Sequence, residues 1–387
     1  MRIFFITFGD LRFEFIAYNL AKLLTDNFNC EIIIYGHAPL TYPRFAQYTE
    51  RIKLVSCPDI RNMSKRIPKI IKVIIGYFRF ISIGLQTAVR FRPNIVLCTN
   101  YDSLLLAKLI AFIYNAKFIY YCTEHTERVD FLKIRSLRQL LKWLEKFVIT
   151  SKDIIVAVEP WRAQQLQLQI RREVIVIRNT PLFESNNHFL PLKKQNKNAL
   201  LNFVYAGKIV ESTGIIEFIE ALSFFPPNQV AFHIYGRIED NLKEKFRKVI
   251  HKAVTKGILV NYYGIIEYKL LSHELQKYDV GICFYKGSNM NEIYCAPAKL
   301  FEYCKAGLVL LVSKNLGIYN ALGERDFVFY VEEITPEAVI QVIKRIIQKN
   351  EHLWKLKMQS YNTYAYKFNY NLEFENLLKE LKRRKWM

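Results

Sequence analysis

The sequence contains no Cys-x-x-Cys and no His-x-x-x-His. Its seven cysteines, at positions 30, 57, 98, 122, 283, 295 and 304, are odd in number and widely spaced. That pattern fits reduced thiols in the cytoplasm and argues against structural zinc. No built-in metal and no other cofactor is expected. No apolar run reaches the roughly eighteen residues of a membrane span. The longest candidate, 70–89, is broken by Lys72, Arg79 and Gln86. The opening residues, Met1 to Asp10, are too short for a signal peptide and read as a buried first strand. Glycine never falls in a Gly-x-Gly-x-x-Gly pattern. The first loop is instead Gly9-Asp10-Leu11-Arg12-Phe13-Glu14, which counts against a nicotinamide or flavin dinucleotide site. No zinc finger, RNA-recognition pentad or glycine-rich KH loop is present, so no nucleic-acid partner is expected.

What is present is size, apolar content and positive charge. A chain of 387 residues exceeds one ordinary core, and two domains follow. Hydrophobic residues at 51% and charged residues at 24% describe a globular protein. Lysine and arginine number 56 against 35 acids, a net +21, which favours phosphate-rich or anionic partners. The cations cluster beside bulky apolar residues. Arg61, Lys65, Arg66, Lys69 and Lys72 adjoin Ile70–Phe78. Lys133, Arg135, Arg138, Lys142 and Lys146 adjoin Leu137–Phe147, and Lys382–Lys385 precedes Trp386. Basic helices with apolar faces suit an anionic bilayer; the plainer alternative is that those faces pack on the protein's own core.

Short apolar runs alternate with helical patterns in both halves, which predicts an α/β protein with doubly wound parallel sheets. Strands are expected at Ile3–Phe8, Glu31–Tyr35, Asn94–Cys98, Lys117–Tyr121, Ile154–Val158 and Val174–Ile177. A polar, Asn-rich stretch then reads as a linker at 183–200, between a first domain at 1–182 and a second at 201–355. Residues 356–387 are expected as C-terminal helix packing back on the first domain. Two such units should bind ligand between them, outside the carboxyl ends of the strands.

The segment Asn291 to Gly307 carries the most chemistry. Pro297 suits the first turn of a short helix and Gly307 the position just past its end. Lys299 and Glu302, three apart, share one face, while Leu300, Phe301 and Cys304 can turn to a core. A helix start with a lysine is a candidate diphosphate site, and a carboxylate beside it can hold sugar hydroxyls. The alternative is an exposed ion pair on an amphipathic helix.

At this point the residues resemble the retaining glycosyltransferases of family 4, especially those of bacterial polysaccharide assembly. The matching signature is Pro297-Ala298-Lys299-Leu300-Phe301-Glu302-Tyr303, followed by Gly307 and a strand. Tyr205-Ala206-Gly207-Lys208 with Thr213-Gly214, Ile234-Tyr235-Gly236, Tyr262-Tyr263-Gly264 and Tyr278-Asp279-Val280-Gly281 fit further landmarks in order. The resemblance implies the GT-B architecture: two Rossmann-like domains facing a cleft. It departs from the family where Tyr294 replaces the first of two acids and Thr213 replaces the second cation of a diphosphate clamp.

The resemblance implies a metal-independent, hexosyltransferase-like enzyme. It would move a sugar, with retention, from a UDP- or GDP-linked donor to a lipid-linked or growing glycan in cell-surface polysaccharide synthesis. Gly207, Lys208, Thr213, Gly236, Lys299 and Glu302 would bind the donor. Thr123-Glu124-His125 stands where a catalytic His-Glu pair is expected, so His125 or Glu124 takes that role, with Glu127 a further rival. Gly9, Asp10 and Arg12 form a possible acceptor or phosphate loop, or a solvated turn. The protein would lie in the cytoplasm, peripheral on the inner face of the membrane. Two alternatives share the fold: a nucleotide-sugar 2-epimerase, and a degenerate partner subunit without catalysis.

Overall fold

Apolar runs of a few residues form parallel strands when enough chain follows for a helix to cross back over the sheet. Both halves of the sequence meet that condition. A computed structural model describes residues 1–59, 69–123, 143–184 and 199–387. They divide into two compact units, Met1–Arg178 with Asn371–Met387, and Asn179–Tyr370.

The first unit is built on eight strands: β1 (Arg2–Asp10), β2 (Glu31–Ala38), β3 (Phe45–Gln47), β4 (Ile52–Pro58), β5 (Ile95–Thr99), β6 (Lys117–Cys122), β7 (Ile154–Ala157) and β8 (Ile175–Val176). Their order is β3-β4-β2-β1-β5-β6-β7-β8. All pairs are parallel except β3 with β4. Strands β5 and β7 are buried along their whole length, as expected of a sheet with helices on both faces. The chain's last helix, Tyr370–Arg383, is tied to this unit through Glu373, which accepts from the amide and the guanidinium of Arg178 at 3.0 and 2.9 Å.

The second unit has six parallel strands: β9 (Leu201–Ala206), β10 (Val230–Tyr235), β11 (Leu259–Gly264), β12 (Val280–Cys283), β13 (Val309–Ser313) and β14 (Val328–Val331). The order β11-β10-β9-β12-β13-β14 reverses between β9 and β12. In open sheets of this kind ligands bind outside the carboxyl ends of the strands at such a reversal. The core is dense in aromatics. Phe203, Phe218 and Phe232 pack edge to face at 5.3 and 4.7 Å.

Several features lie outside the alternation read from sequence. Strand β4 is interrupted by Lys53 and Ser56 yet pairs β2 in register from Ile32↔Ile52 to Ala38↔Pro58. Strand β14 and helix Leu316–Leu322 are likewise additional. The chain returns to the first unit at Asn371, not at residue 356. Helix Leu353–Lys367 stays with the second unit, where the buried Lys357 ammonium donates to the Tyr278 carbonyl at 2.6 Å and meets Asp279 at 3.2 Å. Residues 179–184 also belong to the second unit. There the Leu182 carbonyl accepts from the Tyr364 hydroxyl and the Pro181 carbonyl from the Tyr370 amide. All seven cysteines are free thiols. No helix among the described residues is long and apolar enough to cross a membrane.

Candidate functional site

The helix signalled by Pro297 and Gly307 is Ala298–Lys305. Pro297 is its extended N-cap, and no side chain caps the first turn. At the other end Gly307, at φ +69°, donates to the Cys304 carbonyl while the Leu308 amide donates to Tyr303. This pair of reversed bonds needs a left-handed residue at that point, which glycine supplies at least cost. The buried residues Leu300, Phe301, Tyr303 and Cys304 fix the helix on the sheet, with the Tyr303 hydroxyl accepting from the Ala206 amide at 2.9 Å.

That anchoring delivers Lys299 to the reversal between β9 and β12. Its ammonium donates to the Tyr205 hydroxyl at 3.1 Å, lies 4.4 Å from the centroid of the Tyr205 ring and 5.3 Å from that of Tyr285. No carboxylate pairs with it among the described residues. Burial is the largest single influence and opposes its charge, but Tyr205, Tyr285, Cys283 and Tyr303 together hold the ammonium's pKa well above its ordinary value. The result is a part-buried cation beside an uncapped helix start, an arrangement that receives anions.

The glycine loops meet the same point. A Cβ on Gly207, at φ +152°, would sit 3.1 Å from the Lys299 ammonium. A Cβ on Gly236, at φ +136°, would strike the Gly207 carbonyl oxygen at 1.8 Å. Backbone bonds hold the two loops side by side, from Gly207 to the Tyr235 carbonyl and from Ile209 to that of Arg237. The Tyr205 hydroxyl also donates to the Lys208 carbonyl at 2.6 Å, so one phenol ties the Lys208 loop to Lys299. The Lys208 side chain itself is exposed and faces Glu239 at 3.4 Å.

Glu302 is 5% exposed and accepts from the Tyr268 hydroxyl at 2.6 Å. Burial raises its carboxyl pKa, against a smaller opposing pull from Lys305 and the Tyr268 bond. The Thr213 hydroxyl is engaged with its own turn. The residue is 2% exposed, and its hydroxyl donates to the Val210 carbonyl at 2.6 Å and accepts from the Val210 amide at 3.3 Å. A threonine in a tight turn satisfies its own backbone in this way.

In the first unit Asp10 caps a short 3-10 turn, Leu11–Phe13, and takes both the amide and the guanidinium of Arg12, the closest approach being 2.7 Å. The pair therefore neutralises itself at the end of β1. Gly9 leaves room for Glu14, whose carboxylate would collide with a Cβ there. His125, Glu124 and Glu127 lie outside the described residues. Sequence reasoning did not single out Asn100, held at φ +56° past β5, whose side-chain oxygen accepts from the amide and hydroxyl of Thr123. Nor did it single out Tyr205, Tyr285 or Tyr268 for contact with Lys299 and Glu302; these pairings join distant parts of the chain. Among the described residues no three His, Cys, Asp or Glu side chains gather as metal ligands.

Neither a protein-family model nor a curated protein matches the sequence. Solved structures do match over almost the whole length. A sucrose-phosphate synthase from Thermosynechococcus elongatus is 12% identical with a TM-score of 0.73, covering 100% of this chain and 99% of that one. The Anabaena protein HepE, solved with UDP and glucose, is 12% identical with a TM-score of 0.69, covering 99% and 100%. A glycosyltransferase from Rickettsia africae is 14% identical with a TM-score of 0.68, covering 99% and 98%. At such identities the likeness is one of fold, and it shows the two Rossmann-like sheets of the GT-B class.

Proposed function

We propose that the protein is a glycosyltransferase of the family 4 type. It transfers a sugar, with retention, from a UDP- or GDP-linked donor to a lipid-linked or growing glycan in cell-surface polysaccharide synthesis. The observation that carries this reading is Lys299: a part-buried cation with no carboxylate partner among the described residues, aimed at the strand-order reversal beside the closely packed Gly207 and Gly236 loops.

Such a site suits the chemistry. Transfer breaks the bond from the anomeric carbon to the donor diphosphate, leaving negative charge on the diphosphate and oxocarbenium character on the sugar. Lys299 and the helix start at Ala298 lower the energy of the departing diphosphate without a metal ion. In this reading Glu302, on the same helix and bonded by Tyr268, holds the ribose and fixes the donor's position. The acceptor hydroxyl attacks on the face the diphosphate leaves, and its proton passes to a departing phosphate oxygen. His125 or Glu124 takes the catalytic role in this reading. Lys208 adds an exposed charge able to follow the phosphates. Thr213 has no part in this reading.

The lipid acceptor and peripheral membrane contact rest on the first unit's helix Lys69–Phe91. It leaves Ile71, Ile74, Ile75 and Phe78 exposed, the last at 69%, alongside Lys72. An apolar face with cations beside it suits the inner, anionic face of a membrane.

The test is a panel of nucleotide sugars incubated with and without lipid diphosphate acceptors. Acceptor-dependent release of nucleoside diphosphate, persisting in EDTA and lost in Lys299→Ala, is the expected result. Interconversion of donors without any acceptor would instead identify an epimerase and end the transferase reading.

A further inference from the structure

The second unit carries a groove of about 720 Å³ lined by none of Tyr205, Gly207, Tyr285 and Lys299. It runs between helix Lys243–Thr255 and strand β11. Phe246, Ile250 and Val254 recur every four residues and form its apolar floor, so they lie on one face of the helix. Lys243, Arg247 and His251 recur at the same spacing and form one rim. Tyr262 and Ile265, 43% and 65% exposed, form the opposite wall.

Three features define what fits. The first is the open edge. Strand β11 ends the sheet order and pairs only with β10 among the described residues, so its outer side offers main-chain donors and acceptors. The second is charge. Lys243 is paired with Asp240 at 2.7 Å, but Arg247 pairs with no carboxylate among the described residues, and Arg237 adds a further cation to the lining. The third is depth. Phe246 is 1% exposed and Ile238 8%, so the groove is recessed at that end, while the floor rises to Val254 at 50%. A bilayer surface meets protruding apolar side chains alone; the recessed end at Phe246 calls for a single side chain inserted from a narrow ligand.

We propose that this groove docks an extended segment of a partner protein in which acidic and large apolar residues are interleaved. The segment lies beside β11 and bonds to its open edge through the main chain. Its apolar side chains enter the floor at Phe246, Ile250 and Val254, and its carboxylates meet Arg247 and Lys243 at the rim. The argument for docking uses no step of sugar transfer, so the docking reading stands or falls apart from the enzymatic one.

A random peptide display library, selected on the full chain and depleted on a Lys243→Glu, Arg247→Glu double variant, tests this. Both substitutions lie on an exposed helix face, and folding of the variant is checked by circular dichroism. The expected outcome is enrichment of peptides rich in Asp, Glu and large apolar residues. Their binding should weaken about tenfold or more in Arg247→Glu and with added salt. Val254→Asp, at a 50% exposed site, should weaken them independently, and amide exchange along Leu259–Gly264 should slow on binding. The proposal is overturned if no peptide distinguishes the wild type from the double variant, or if β11 exchange is unchanged by the bound peptide. It is equally overturned if phosphatidylglycerol vesicles, and no peptides, protect that strand.

Discussion

The Lys299 ammonium and the Tyr205 hydroxyl stand 3.1 Å apart, and the same hydroxyl donates to the Lys208 carbonyl. One phenol thus couples the cation on a helix start to the loop that follows the first strand of the second unit. If that cation receives the diphosphate, Lys299→Ala should lower transfer by about a hundredfold or more, as removal of a preorganised charge at a developing anion does. Tyr205→Phe keeps the ring beneath the ammonium but deletes two hydrogen bonds. Its expected cost is about tenfold, near 1.4 kcal/mol. Calorimetric titration of UDP and GDP, with steady-state kcat/KM, reads both. Unchanged nucleotide binding in Lys299→Ala would remove the site from consideration.

Glu302 gives a pH-dependent prediction. Burial places its folded-state pKa above the unfolded one. Ionising it therefore costs stability as pH rises from the ordinary carboxyl range toward the folded pKa, and the cost is fully present above that value. Glu302→Gln carries no such penalty. It should melt higher than the wild type near neutral pH, with the gap closing on acidification, and transfer should fall if the Glu302 carboxylate holds the ribose as proposed. Tyr268→Phe should do the opposite to stability, costing about 1–3 kcal/mol by leaving a buried acceptor unpaired. Melting curves of the three proteins across pH check the sign.

The glycine pair yields a cleaner steric test. Gly236→Ala would press a methyl onto the Gly207 carbonyl and force the two loops apart. Nucleotide binding should disappear and the melting temperature should drop. Gly264→Ala is the control. It also sits at positive φ, +77°, but nothing lies within 4 Å of the added atom. Backbone strain of about 1–2 kcal/mol is its whole expected effect. Equal losses in the two variants would mean that strain, not loop separation, governs the site.

Membrane contact predicts salt-sensitive sedimentation with anionic vesicles. Each lysine or arginine near such a surface contributes about 1 kcal/mol, screened as ionic strength rises. Ile74→Glu with Phe78→Glu should abolish the interaction, since both side chains are exposed on helix Lys69–Phe91 and neither supports the core. A protein that stays wholly in the supernatant at low salt would refute the idea.

Much of the fold follows from local rules. Strands β9 to β13, the glycine that ends helix Ala298–Lys305, and the proline that precedes it are set by hydrophobic period and by φ restrictions on single residues. Where the local pattern was weak, the reading failed. Strand β4 carries Lys53 and Ser56, and it is a strand because β2 lies beside it. The break after Lys367 was equally hidden in an unbroken helical pattern; there Asn369 donates to the Ala365 carbonyl and Phe368 turns into the core.

By itself the sequence determined most of the strands and helices and their order, and which cations and glycines stood at strand ends, but not β3, β4, β14 or helix Leu316–Leu322. Only the tertiary structure decided that Lys299 faces tyrosines instead of a carboxylate, that Glu302 is buried under Tyr268, and that Thr213 turns inward. The division has a physical cause. Periodicity and capping act over a turn or two of chain, whereas Tyr205 and Lys299 are 94 residues apart and meet only because the strand order reverses between β9 and β12. No local pattern encodes that reversal, because strand order is a relation between segments far apart in the chain.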